Sequence, residues 1–244
     1  AFEFSLGLAP GEKVNIYGED LGPAKAAYGT YDSNGRLPSE LVGTTARFNG
    51  NPAPILSVGS GLVSAIVPFE VNGDSVSVEI SVNGQPSNTV SLPRTVIAPA
   101  IFQQQASMGQ FGPASALNEN GSVNSPANPA VVGSVVGIFL NGTGLLTSAS
   151  SDGKRGVKGG QLELPVSIAM DGIGLNYTNP NFPPLPAEIV YAGQAPDLAD
   201  GQVQVNFRVS GASTYGGATQ VFVTIGDQQA TAAIWSTLPP GSPQ

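Results

Sequence analysis

The sequence predicts an all-β protein of two tandem immunoglobulin-like β-sandwiches joined by a hairpin-like connector. Three observations predict it. Apolar side chains recur at every second position in short runs, turn dipeptides separate those runs, and the second half repeats the order of the first. A period of two puts one set of side chains on a core and the other in water, as a half-buried strand requires.

Taken in order, Phe2, Phe4, Leu6 and Leu8 alternate with Glu3, Ser5 and Gly7, and Val14 and Ile16 follow. Val76, Val78, Ile80 and Val82 alternate with Ser77, Glu79 and Ser81. Val203, Val205, Phe207 and Val209 alternate with Gln204, Asn206 and Arg208, and Val221, Val223 and Ile225 repeat the pattern. Turns are expected at Asn34-Gly35, Asn49-Gly50, Asn72-Gly73, Asn83-Gly84, Asn120-Gly121 and Asp171-Gly172, because these residues tolerate positive φ. No stretch has the spacing of an amphipathic helix. Residues 148–160, rich in Ser, Gly and Lys, read as a mobile loop.

The repeat runs the length of the chain. Gly11–Tyr17 matches Gly133–Phe139, and Pro52–Ile55 with Gly59 matches Pro186–Ile189 with Gly193. Val63–Val67 matches Val205–Val209, and Val78–Val82 matches Val221–Ile225. Two copies of one sandwich of about seven strands account for this. The first is expected over 1–95 and the second, with enlarged loops, over 130–244. Between them, 96–129 holds Ile101, Phe102 and Leu117 beside an Asn-Glu-Asn-Gly turn. Such apolar residues favour a packed hairpin over a free linker.

Composition narrows the function. The net charge is −8, and the nine Lys and Arg residues are scattered, with only Lys154 and Arg155 adjacent. Phosphate backbones need clustered cations, so nucleic acid is not an expected partner. Charged residues make up 11 % of the chain, and His and Cys are absent. That removes the usual general base, thiolate nucleophiles, disulfides and the commonest zinc ligands. We expect no enzyme activity. No apolar run approaches the roughly 18 residues of a membrane span. The chain opens on Ala1 rather than Met. We read this as a mature N-terminus left after removal of a bacterial signal peptide, and expect a secreted, extracellular or cell-surface protein.

Several stretches resemble a known family. Leu8–Pro23 (LAPGEKVNIYGEDLGP), Val42–Gly50 (VGTTARFNG), Asn51–Ile55 and Ala116–Ala130 (ALNENGSVNSPANPA), followed by Gly133–Val136, resemble the Solibacter-type C-terminal module of exported acidobacterial proteins. The resemblance spans nearly the whole chain. It implies paired folds of the TIG/E-set immunoglobulin-like type and carries no catalytic residues. The chain departs from the pattern by starting where the module starts and by an enlarged stretch at 176–186. Both departures shift the expected role from accessory module to independent subunit.

Candidate chemistry is sparse. Glu19-Asp20 and Asp197/Asp200 are carboxylate pairs in turn-like contexts, where such residues serve turns and solubility. Calcium is the cofactor alternative, with oxygen ligands at Asn118–Ser122 and Asp197–Gly201, yet neither stretch has EF-hand spacing. No other cofactor or metal is expected. Asn120, Asn141 and Asn176 open Asn-X-Ser/Thr sequons, which in a bacterial chain are usually coincidental. Tyr28, Tyr31, Tyr177 and Phe182 are aromatics on predicted loops, open to a surface glycan or to burial.

The N-terminal run Phe2, Phe4, Leu6 and Leu8 is the candidate self-association strand. Either it closes its own sandwich or it pairs with the next molecule. Burying four such side chains contributes roughly 6–12 kcal/mol, against an association cost of about 4–15 kcal/mol. A non-closing, head-to-tail contact of this kind builds a filament. The expected function is a non-enzymatic structural subunit of an extracellular or cell-surface assembly, self-associating into a filament or sheath. The alternative is a monomeric adhesion or carbohydrate-binding module.

Overall fold

Strand for strand, the two halves fold alike. The computed structural model describes residues 7–104, 112–148, 150–171, 184–211 and 218–241, and every regular element among them is a β-strand. The first half carries β1 (Lys13–Tyr17), β2 (Ala27–Tyr28), β3 (Glu40–Leu41), β4 (Thr44–Phe48), β5 (Asn51–Pro52), β6 (Ile55–Gly59), β7 (Leu62–Ile66), β8 (Ser75–Val82), β9 (Gln85–Pro86) and β10 (Val90–Pro93). The connector and second half carry β11 (Ala100–Ile101), β12 (Ala116–Asn118), β13 (Ala130–Val131), β14 (Val135–Asn141), β15 (Val166–Met170), β16 (Leu185–Ala187), β17 (Ile189–Gln194), β18 (Val203–Arg208), β19 (Ala218–Ile225) and β20 (Gln228–Thr237).

Each half is a sandwich of two antiparallel-rich sheets. In the first, β1-β7-β6-β2 faces β10-β8-β4-β3; in the second, β11-β14-β18-β17 faces β13-β20-β19-β15-β16. The register repeats with the sequence. Asn15 pairs with Ser64 and Ile16 with Val63, as Gly137 pairs with Asn206 and Ile138 with Val205. The ladder slips at matching places, between Ile55 and Ser57 in β6 and between Ile189 and Tyr191 in β17. A bulge conserved between copies re-aims the strand at the same point in each. The copies thus share pairing to the residue, which establishes tandem immunoglobulin-like sandwiches.

The alternating runs bury the face expected of them. Val76, Val78 and Ile80 of β8 join Phe48, Ile55 and Val63 in the first core. Val203, Val205 and Phe207 of β18 join Ile138, Val223 and Ile234 in the second. Asn49-Gly50 and Asn83-Gly84 both have positive φ, as two-residue hairpin turns demand.

The connector is packed and the expected mobile loop is not mobile. In the connector, β11 and β12 both pair antiparallel with β14, and Ile101, Ala114 and Ala116 lie in the second core, while Phe102 lies under Lys13 of the first sandwich. The second sandwich therefore recruits residues read as linker. Residues 148–160, expected to be mobile, are docked apart from residue 149, which lies outside the described residues. Leu37 N–H donates to the Gly153 carbonyl (2.8 Å), Arg155 N–H to Gly35 (2.7 Å), and the Arg36 guanidinium to the Asp152 carbonyl and Ser151 Oγ. Phe69 N–H donates to Asp152 Oδ1 (2.9 Å). Leu37, Ile66 and Ala199 bury a small apolar cluster alongside. Gly11 and Gly201 bring the backbones of the two sandwiches into contact, since a Cβ on Gly201 would sit 2.7 Å from the Gly11 carbonyl oxygen.

Candidate self-association groove

The second sandwich is closed along the edge where β14 and β20 face each other. β12 lies antiparallel on β14, pairing Ala116 with Ile138 and Asn118 with Val136. Just before it, Pro113 pairs in parallel with Ala233 of β20. One short segment thus spans both sheets and plugs the gap with Ala114 and Ala116, each about 2 % exposed. β13 adds a parallel pairing of Ala130 with Ser236. Buried Asn124 fastens the closure. Its Nδ2 donates to the Trp235 carbonyl (2.7 Å) and to Asn118 Oδ1 (2.9 Å), and its Oδ1 accepts Trp235 N–H (2.7 Å).

At the equivalent edge of the first sandwich the described residues include no such covering segment. β1 has no outer partner among the described residues, and β10 pairs beyond β8 only through the bridge between Leu8 and Arg94. That bridge corresponds to Ala130 with Ser236 in the second copy. It is parallel and is made by Leu8 N–H to the Pro93 carbonyl (2.8 Å) and Thr95 N–H to the Leu8 carbonyl (3.0 Å). Between β1 and β10 runs a groove of about 570 Å³. Phe48, Val78 and Ile80 form its floor, and all three belong to the first core. Tyr17, Val90 and Leu92 on its lips are 61 %, 48 % and 39 % exposed. The floor is itself buried, with Phe48, Val78 and Ile80 at 0 %, 7 % and 3 % exposure, so it is the lips that present apolar surface to solvent.

Of the candidate strand residues, Leu8 is placed: it is buried at one end of this groove. Phe2, Phe4 and Leu6 lie outside the described residues. The groove itself was not legible from sequence, because no motif marks a missing partner. The signal that points to it is the repeat, in which the residues before Gly11 and before Gly133 could be compared.

Glu12 sits at the elbow between Leu8 and β1 and lines the groove. Its Oε2 accepts the Ala9 N–H (2.8 Å). Burial pushes its pKa from 4.5 up to about 7, and the Ala9 bond only partly opposes this. The folded state thus binds a proton that the unfolded chain has released. The associated stability is full below about pH 4.5 and is lost as pH rises towards 7. At 1.36 kcal/mol per pKa unit the loss is about 3 kcal/mol. Glu12→Gln is expected to flatten that part of the slope in urea titrations between pH 4.5 and 8; an unchanged slope contradicts the assignment.

The other candidates have structural employment. Asn120 Oδ1 accepts Ser122 N–H (3.0 Å), Asn118 Oδ1 accepts Asn124, and Glu119 accepts Val135 N–H, so these oxygens lock a turn. Asp197 pairs with Arg155 (3.5 Å), and the Asp200 oxygens accept Ser151 and Gly201 N–H. Glu19 and Asp20 are exposed on the β1–β2 turn. Among the described residues no cluster of three acidic side chains assembles for a metal. Asn141, the second sequon, is buried and donates to the Lys13 carbonyl (2.9 Å), in keeping with a coincidental match. Asn176, Tyr177 and Phe182 lie outside the described residues. Tyr31 packs under the Arg155 guanidinium (4.5 Å to the ring centre), whereas Tyr28 is 73 % exposed. Tyr28 lines a second cleft of about 580 Å³ between the sandwiches, together with Phe102 and Phe139.

Comparison with known proteins adds little. No protein-family model and no curated protein matches the chain. Among solved structures it is similar to the I9–I11 tandem of titin (11 % identity, 96 % of this chain and 63 % of that one, TM-score 0.22). It is also similar to the plexin A4 extracellular region, in forms covering domains 1 to 8 (12 % identity, 94 % and 17 %, TM-score 0.24) and 1 to 10 (11 %, 96 % and 15 %, TM-score 0.23). The chain spans less than two thirds of each. The fold assignment rests on the strand pairing above.

Proposed function

We propose that this chain is a non-enzymatic structural subunit that self-associates into a filament or sheath outside the cell or on its surface. The observation that supports the reading is an apolar patch on the first sandwich: Tyr17, Val90 and Leu92 lie exposed side by side at the edge of β1 and β10. The low charge density supports it, because subunits with 11 % charged residues pack closely without strong repulsion. The resemblance to a module of exported proteins supports an extracellular setting. Among the described residues no helix is long and apolar enough to cross a membrane. Negative-stain electron microscopy of the purified chain at high concentration tests the reading. Ordered fibres or sheets are expected; monodisperse 24.7 kDa particles remove it.

A second reading has its own observation. The cleft of Tyr28, Phe102 and Phe139 combines aromatic faces with Ser57, Ser115 and Gln202, the mixture that stacks on and hydrogen-bonds a sugar. Binding on a glycan array that is lost in Tyr28→Ala supports a carbohydrate-binding role; no binding excludes it.

A further inference from the structure

We propose that residues 150–156 are a clasp between the two sandwiches, held shut by a proton shared between Asp152 and Glu70. The clasp is tight in acid and loosens towards neutral pH. This goes beyond the reading of the chain as a self-associating subunit and does not depend on it.

The clasp grips both sandwiches through its backbone. On the side of the second, Ser151 N–H donates to Asp200 Oδ2 (2.8 Å), Asp200 N–H to the Lys154 carbonyl (2.8 Å), and Gly156 N–H to the Leu198 carbonyl (2.6 Å). On the side of the first, Arg36 and Lys154 form an antiparallel bridge. Leu37 N–H to the Gly153 carbonyl and Arg155 N–H to the Gly35 carbonyl flank it. Gly153 has positive φ (65°), and a Cβ there would lie 2.8 Å from Pro54 Cβ, so glycine lets the clasp lie this close. At the tip, Asp152 Oδ1 accepts Phe69 N–H (2.9 Å). The Phe69 ring in turn packs where the sandwiches meet: a Cβ on Gly11 would sit 2.5 Å from it and one on Gly201 3.1 Å. One carboxyl thus fixes the residue wedged between the two domains.

Electrostatics decide when it lets go. Glu70, next to Phe69 in the chain, sets its own carboxyl against that of Asp152. Two carboxylates in contact are costly to charge together, and one proton between them makes a hydrogen bond instead. Burial first and Glu70 second push Asp152 from 3.8 up to about 6, against the Phe69 N–H and the charge of Arg36. Arg36 offsets the pair only in part, because its guanidinium is engaged by the Asp152 carbonyl (3.0 Å) and Ser151 Oγ (2.9 Å). The remaining charges around the clasp stand in opposite-sign pairs. Arg155 meets Asp197 (3.5 Å), and Lys154 faces Asp200, whose carboxyl burial also raises. Asp152 therefore supports the clasp fully below about pH 3.8, and that support is lost as pH rises through about 6.

Amide hydrogen exchange of the full chain at about pH 5 and about pH 7.5, corrected for intrinsic rates, tests this. Linkage between 3.8 and about 6 allows a fall in protection of about tenfold over that range, and solvent screening of the half-exposed carboxyl brings it to about fivefold. The Phe69, Leu37 and Arg155 amides are expected to lose about fivefold more protection than Val78 and Ile80, which carry any global effect such as that of Glu12. Asp152→Asn keeps an acceptor for Phe69 and donates to Glu70 at either pH, so its clasp amides should track the core. Glu70→Gln removes the second charge and should at least halve the excess fall. Clasp amides that track the core in the parent chain overturn the inference. So does an excess fall that Asp152→Asn leaves intact, or that Glu70→Gln leaves at full size.

Discussion

Phe48→Ala is expected to cost the first sandwich about 3–5 kcal/mol, the usual penalty for truncating a fully buried aromatic. Phe48 is 0 % exposed, ends β4, and packs in the core that floors the groove. Two consequences separate this from general destabilisation. The single tryptophan, Trp235, lies in β20 of the second sandwich, so its fluorescence reports that domain. Urea unfolding followed by far-ultraviolet circular dichroism is expected to shift to lower denaturant, with the tryptophan signal moving less. Any residual fold should also assemble poorly, because the exposed Tyr17, Val90 and Leu92 lose the core that positions them. A variant as stable as the parent contradicts the placement of Phe48.

Asn124→Ala is expected to act on the other sandwich and almost as strongly, at about 3–5 kcal/mol. Its side chain replaces a missing ladder rung: one amide satisfies both the N–H and the carbonyl of Trp235 and holds Asn118 of β12. Removing it leaves two backbone groups beside a buried site without partners, each costing about 1–3 kcal/mol. Here the tryptophan transition is expected to move first. Asn124→Asp sets a buried carboxylate oxygen against the Trp235 carbonyl and Asn118 Oδ1, two acceptors, and should be at least as destabilising as alanine.

Those two positions also mark how far the sequence could be read. Phe48 stands beside Asn49-Gly50, a turn signal, and the alternation of β8 and β18 fixed which side chains face inward. Large apolar residues at period two leave few other folds. Asn124, by contrast, lies in a polar run, Asn118–Asn128, whose side chains replace regular pairing. Nothing in composition distinguishes such a run from a solvated loop. β20 is built largely from Ala, Thr and Gln, so its burial comes from fit against neighbours rather than from hydrophobic contrast, and β12 is only Ala-Leu-Asn. The turn between β3 and β4 was hidden for a local reason: Val42 has positive φ (50°), a conformation its branched side chain disfavours. For the candidate site, the alternating strand was legible from Phe2 to Leu8, but its destination was not.

Glu12 connects the two levels. Its carboxyl lies where the chain turns from Leu8 into β1, so it becomes charged at the hinge of the candidate strand as pH rises towards 7. The pH at which assembly is assayed should therefore be held fixed when variants are compared.

A helical reconstruction by electron cryomicroscopy of the assembled chain, at a resolution that shows side chains, bears most directly on the whole account. It should show subunits repeating by one non-closing operator, with the exposed Tyr17, Val90 and Leu92 of each buried against its neighbour. Discrete particles that never extend, or an ordered fibre in which those three side chains face solvent, would contradict it.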